Sequence, residues 1–295
     1  MGDIGQSRLH LVEGLPGTGK STMAQTLAKR LAAEGGEVAL FLEGDLHPVD
    51  LQWISRMTPL AFDNAVNVLY EYWLRSPRTE PWSEIRQCLN DQSSYEDGYI
   101  LTAYTRLNFR DVELWDGMDL FRAAEIHNGR ISLTEYRDIY LRRWHRFAES
   151  RNHESTIYVF ECAFFQSHIS ELLGHHLVDD EALLEFLSNL IAPVRLMRPE
   201  MHYVSVDDYA MCMCTTARSR GNWLADVINW VESSPYGKQH KLQGFESVLT
   251  FFRHREELEQ IAMQRLGLPL HRQLRNAAPV LDVDDDESHA DVVVP

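Results

Sequence analysis

The sequence predicts an α/β fold, with a parallel sheet of about five strands layered between helices and one long insertion. Three observations lead there. A glycine-rich loop sits between an apolar strand and a helix at the N-terminus, further short apolar strands alternate with helical patterns, and about 110 residues separate the second strand from the third. The first strand is Arg8–Glu13, and the helix after the loop is Thr22–Ala33. The Gly35-Gly36 stop ends that helix, and Glu37–Leu42 reads as the second strand. Ser155–Glu161 and Met201–Val206 are the next two, both apolar and β-branched, and Ala278–Asp282 is expected as the last. A helix is expected over Gly244–Arg265, with Phe245, Val248, Leu249, Phe252, Leu258, Ile261 and Ala262 at helical spacing as its core face.

Gly14-Leu15-Pro16-Gly17-Thr18-Gly19-Lys20-Ser21 fits the pattern G-x-x-x-x-G-K-[ST], with Thr22 opening the helix. Strand, loop and helix arrive in the order a phosphate-binding loop needs. Gly14, Gly17 and Gly19 allow the backbone to curl so that amides point at phosphate oxygens, and the helix adds its positive end. Lys20 is suited to the β and γ phosphates, and Ser21 to Mg²⁺. The motif implies a bound nucleoside triphosphate without distinguishing ATP from GTP. It is equally compatible with a kinase, a switch or a motor.

Glu43-Gly44-Asp45-Leu46-His47-Pro48 follows the second strand, at the sheet edge where open α/β folds bind ligands. Asp45 is the candidate to orient or deprotonate an acceptor hydroxyl; a plain turn residue before Pro48 is the simpler alternative. Glu161 ends the third strand where an acid could orient the Mg²⁺ water shell or contact the substrate, a plain strand-end acid being the simpler alternative. Arg218 and Arg220 close the helix after the fourth strand, where planar donors could clamp a transferring phosphoryl group or merely complement the helix dipole.

These features resemble the P-loop small-molecule and nucleotide kinases, in which gluconate and adenylylsulfate kinases carry a similar glycine-aspartate turn. The E-G-L-P-G-T-G-K-S-T start, the E-G-D-L-H-P turn, the F-E-C strand end and the Y-G-K and G-F-E segments are more closely similar to a bacterial thymidylate-kinase-like, ATP-binding family. The resemblance implies a three-layer fold with sheet order 2-3-1-4-5 and a mobile lid to which Arg218 and Arg220 belong. It also implies ATP and Mg²⁺ as cofactors and phosphoryl transfer to a small-molecule hydroxyl. A nucleoside monophosphate kinase, and a nucleotide-binding switch or ATPase, are the rival readings. Against the switch, the chain has no N-K-x-D guanine motif.

Residues 46–155 are expected to form a helical substrate-binding insertion within a kinase domain of residues 1–283. The segment holds 16 of 30 aromatics, thirteen arginines and no lysine. Ala61–Leu74 and Leu133–Ser150 read as its helices, the second capped by Ser132 with Glu135 three residues on. Tyr136, Tyr140, Trp144 and Phe147 share one face, and most of Arg137, Arg142, Arg143 and Arg146 are expected in solvent.

A net charge of −16 repels nucleic-acid and anionic membrane surfaces. Six acids fall in the last fourteen residues, and residues 284–295 are expected as a disordered acidic tail. The N-terminus lacks a basic-then-apolar leader, and no apolar run reaches membrane-spanning length, so a cytoplasmic monomer or homodimer is expected. Cys88, Cys162, Cys212 and Cys214 lack metal-ligand spacing and are expected as reduced thiols.

Overall fold

The computed structural model describes residues 7–151 and 154–276. The strands in chain order are β1 (Leu9–Gly14), β2 (Val38–Phe41), β3 (Ser55–Met57), β4 (Ser93–Glu96), β5 (Tyr99–Thr102), β6 (Ile157–Glu161), β7 (Glu200–Val206) and β8 (Leu270–Arg275). The helices are α1 (Lys20–Ala33), α2 (Pro59–Arg75), α3 (Trp82–Asp91), α4 (Asp119–Ala123), α5 (Leu133–Arg151), α6 (Gln166–Gly174), α7 (Asp180–Ile191), α8 (Tyr209–Ser219), α9 (Trp223–Ser233), α10 (Pro235–His240) and α11 (Gly244–Leu266). The chain divides into two compact units, one running up to Leu42 and resuming at Ser132, the other Glu43–Ile131.

In the first unit, five strands lie parallel in the order β2-β6-β1-β7-β8. Alternation along each strand sends side chains to opposite faces. Val12, Ile157 and Val159 pack with Ala24, Leu27, Ala28 and Leu31 of α1. Tyr158 and Phe160 of β6 meet Phe147 of α5 at ring separations of 5.0 and 5.2 Å. Burial on both faces explains why β6 reads as an apolar run up to Glu161 and why β1 is mostly apolar, its His10 and Glu13 being buried as well. α5 begins where expected, with the Glu135 amide donating to Ser132 Oγ at 3.2 Å. Its Tyr136, Tyr140, Trp144 and Phe147 stripe is buried throughout.

Several expectations need correction. Ala278–Asp282, like the acidic tail at 284–295, lies outside the described residues, and the fifth position in the sheet belongs to β8 instead. That strand is an exposed edge of sequence LHRQLR, so no apolar alternation announces it. Arg143 is buried rather than solvated, and Ile261 is 47% exposed while Phe251, absent from the expected apolar stripe, is fully buried. α5, placed by sequence in the insertion, belongs to the first unit.

The second unit is not purely helical. β3, β5 and β4 form an antiparallel sheet, and Glu96 pairs with Tyr99 across a two-residue turn. Asp97 and Gly98 both adopt positive φ there, 50° and 85°, the combination that an Asp-Gly hairpin turn requires. The core of this unit gathers Leu69, Leu89, Leu107, Leu114, Met118 and Phe121. Thr58 caps α2 by accepting from the Ala61 amide, and Pro59 fills the first helical position, where a missing N–H costs nothing.

Candidate phosphate-loop site

β1 delivers the chain directly into the glycine-rich loop, and α1 begins at Lys20. Gly14, Gly17 and Gly19 all have positive φ, at 148°, 83° and 93°. A side chain at Gly14 would run into the Val204 carbonyl of the neighbouring strand, which cannot move without breaking the β1–β7 ladder. One at Gly17 would meet Thr216 Oγ1 at 2.6 Å, and one at Gly19 would collide with the Arg275 guanidinium. Gly14 is therefore required by close backbone approach as well as by φ, whereas at Gly17 and Gly19, which face side chains, the positive φ makes the demand.

The loop is closed on itself. Lys20 Nζ donates to the Leu15 carbonyl at 3.0 Å, and Thr18 Oγ1 donates to the same carbonyl at 2.8 Å. Leu15, Thr18 and Lys20 are all buried. Ser21, one residue into α1, donates to Glu161 Oε1 at 3.0 Å, and Cys162 Sγ approaches the same oxygen at 3.1 Å. Cys162 sits at φ 64°, a strained conformation for a residue with a side chain and common beside functional groups. The pairing of Ser21 with Glu161 follows from topology. β1 and β6 are adjacent and parallel, so the first turn of α1 and the end of β6 meet at the same carboxyl edge.

Three side chains that sequence reasoning missed also touch the loop. Arg275, the last residue of β8, donates from Nη1 to the Thr18 carbonyl at 3.1 Å. Cys212 and Thr216 of α8 stand over Gly17, with Cys212 Sγ 3.4 Å from its carbonyl. Burial pushes the Cys212 thiol up from its ordinary value, only partly offset by its bond with Thr216 and by the charge of Lys20. Arg218 and Arg220, on the same helix end, are exposed, and the structure does not bring them to the loop; Arg220 lies 5.5 Å from the Trp223 ring. Nothing in the sequence marks Arg275, because its strand has no pattern.

Beneath the loop lies a buried charged network. Arg255 donates from Nη2 to the Gly14 carbonyl at 3.1 Å, from Nε to Glu259 Oε1 at 2.7 Å and from Nη1 to Ser170 Oγ at 3.2 Å. Tyr203 donates to the other oxygen of Glu259 at 2.6 Å. Glu13, fully buried one residue before Gly14, accepts from the Phe164 and Gln166 amides at 2.7 and 3.2 Å. Desolvation pushes its carboxyl up to about 7. The amide bonds and Arg255 oppose that shift, and Glu259 adds to it. This network ties β1, β7, α6 and α11 to the root of the loop. One clue was legible: Arg255 with Glu259 four residues on lies in the apolar stripe of α11, where a charge needs a partner.

Asp45 belongs to the second unit and is held there by an arginine. Arg106 Nε lies 2.9 Å from Asp45 Oδ1, and its Nη2 donates to the Glu43 carbonyl at 2.6 Å. Glu43 in turn accepts from Trp53 Nε1 at 2.9 Å. Gly44, at φ 84°, provides the bend between them, and His47 Nδ1 accepts the Val49 and Asp50 amides to close the turn. Arg106 orients this carboxylate without burying it, since both side chains remain one-third exposed.

No protein-family model matches the chain, and no curated protein matches it. Among the described residues no helix is long and apolar enough to cross a membrane. Among the described residues, Cys88, Cys162, Cys212 and Cys214 form no disulfide.

Proposed function

We propose that the chain is an ATP- and Mg²⁺-dependent phosphotransferase acting on a hydroxyl of a small molecule. The observation that carries this reading is the loop geometry: three positive-φ glycines beside a buried lysine, followed by a serine bonded to a strand-end glutamate. Counting only the strands of the parallel sheet, β2-β6-β1-β7-β8 reads 2-3-1-4-5, which supports the kinase topology over other α/β arrangements.

The donor set fits the cofactor. Lys20 exchanges the Leu15 carbonyl for β and γ oxygens, gaining charge-assisted bonds to an anion. Ser21 and Glu161 hold the metal side of the site, Ser21 by its hydroxyl and Glu161 through the metal's water shell, a division that suits a small hard cation. Bound Mg²⁺-ATP supplies the γ-phosphoryl group and neutralises its developing charge. Arg275, anchored to the loop carbonyl of Thr18, adds a planar cation at the same loop. Asp45, oriented by Arg106, serves the acceptor hydroxyl, and the exposed Arg218 and Arg220 are available to close on the transferring group.

The test pairs ATP titration with transfer to a panel of nucleosides, sugars and hydroxylated natural products, read by the phosphoryl mass gained. Lys20→Ala should abolish transfer while leaving the circular dichroism spectrum unchanged. Full transfer by a folded Lys20→Ala protein, or no ATP binding by the wild type, would overturn the reading.

A further inference from the structure

At the opposite end of β1 from the loop, four polar side chains converge on the face of the sheet that α1 covers. His10 shares the α1-facing side of β1 with Val12; Val12 pairs with His202 on β7, which pairs with His271 on β8. Glu200, two residues before His202, faces the same way. His10 Nδ1 lies 3.0 Å from His202 Nε2 and 3.7 Å from Glu200 Oε2, and these three residues offer donor atoms that all fall within 4.8 Å of one another. His271 stacks on His202 at 4.7 Å, with its Nε2 3.1 Å from Glu200 Oε2. His10 and His202 are 4% and 3% exposed, and His10 Nε2 is buried with no hydrogen-bond partner among the described residues.

We propose that His10, His202 and Glu200 form a site for a divalent transition-metal ion, Zn²⁺ in preference to Mg²⁺ or Ca²⁺, with His271 or water as the fourth ligand. Bonds of about 2.0–2.1 Å in tetrahedral geometry place ligand atoms about 3.3 Å apart, which the observed 3.0 and 3.7 Å bracket. Two imidazoles and a carboxylate suit zinc, whereas calcium and magnesium require sets dominated by oxygen. Burial holds both His10 and His202 below their usual protonation range, His202 down to about 3, with Arg30 on α1 and His271 on β8 adding to the effect and Glu200 opposing it at His10.

The site is separate from the phosphate loop. His10 precedes Gly14 by four residues, about 13 Å along an extended strand. The ion would cross-link β1 to β7, and through His271 or Glu200 it would also hold the edge strand β8, whose far end carries Arg275 to the Thr18 carbonyl.

Cobalt serves as the probe, because tetrahedral Co²⁺ gives a strong visible d–d spectrum and octahedral Co²⁺ a weak one. Full-length protein stripped with chelator and free of nucleotide is titrated with Co²⁺ and then with Zn²⁺. The expected result is one tetrahedral Co²⁺ per chain, displaced by Zn²⁺. Glu200→Gln and His202→Gln should each weaken it at least about tenfold, and His271→Ala about 10–100-fold, the range for an outer-shell partner or labile ligand. Ser21→Ala should leave it unchanged, which keeps this result independent of the phosphate-loop reading. If His202→Gln does not fold, the partly exposed Glu200 and His271 variants carry the test. Absence of a tetrahedral spectrum in the wild type would overturn the proposal. So would a thiolate charge-transfer band implicating Cys212 or Cys214, or unchanged affinity in the Glu200→Gln and His271→Ala proteins.

Discussion

Replacing Glu13 with glutamine should change how the stability of this protein depends on pH. Glu13 is completely buried at the root of the glycine-rich loop and its carboxyl is pushed up from 4.5 to about 7, chiefly because burial penalises the charged form. A raised carboxyl pKa means that the folded state holds a proton the unfolded state has already released. Its stabilising effect is complete below about 4.5 and is lost as pH rises through about 7. At about 1.36 kcal/mol per unit, that shift corresponds to about 3 kcal/mol between pH 4.5 and 8. A glutamine side chain at this position cannot ionise. It also presents an amide nitrogen to a backbone donor that Glu13 now accepts, Phe164 or Gln166, so the variant carries a penalty, but one independent of pH. The quantity to measure is the difference in melting temperature, variant minus wild type, by calorimetry at about pH 5, 6, 7 and 8. From pH 5 to 8 the linkage amounts to about 2.5 kcal/mol, so at about 2 °C per kcal/mol for a chain of this size the difference should rise by about 5 °C across the series. A flat difference, or one that falls with pH, would refute the argument that Glu13 is folded in as a neutral acid.

Two further outcomes follow from the buried and half-exposed ion pairs. Arg255→Met should cost about 3–5 kcal/mol, because it strands Glu259 at 0% exposure and removes the donor to the Gly14 carbonyl; adding Glu259→Leu should restore most of the loss, and chemical denaturation of the single and double variants checks both. Asp45→Asn weakens a partly exposed pair with Arg106, worth at most about 1 kcal/mol, so melting should hardly move. Single-turnover transfer should nevertheless fall about 10²-fold with the ATP dissociation constant unchanged, and an equal loss of both would make Asp45 a turn residue alone.

Local chemistry was legible because it is written in contiguous residues. In one run of eight residues Gly14, Gly19, Lys20 and Ser21 stand at the fixed positions of the pattern, and Gly17 at one of its free positions also takes a positive φ. The strands β1, β6 and β7 announced themselves because burial makes them mostly apolar despite His10, Glu13 and His202, and the α5 stripe did so because one face of a helix repeats every three to four residues. The hairpin at Asp97-Gly98 was also written in the sequence, but short strands of mixed polarity hid it.

What only the tertiary structure decided are the groupings of residues far apart in the chain. Arg275 reaches Thr18 across 257 positions, Arg255 reaches Gly14 across 241, and His10 meets His202 across 192. Strand order creates these meetings. β1 sits at the centre of the sheet with β6 on one side and β7 on the other, so its alternate side chains are handed to different partners on each face. Edge strand β8 has no periodic pattern because one of its sides pairs and the other meets water, and its placement beside β7 alone brings Arg275 and His271 into play. A linear pattern records how each segment buries itself; which distant segment supplies the neighbour is set by packing, and the buried charges and histidines acquire their roles there.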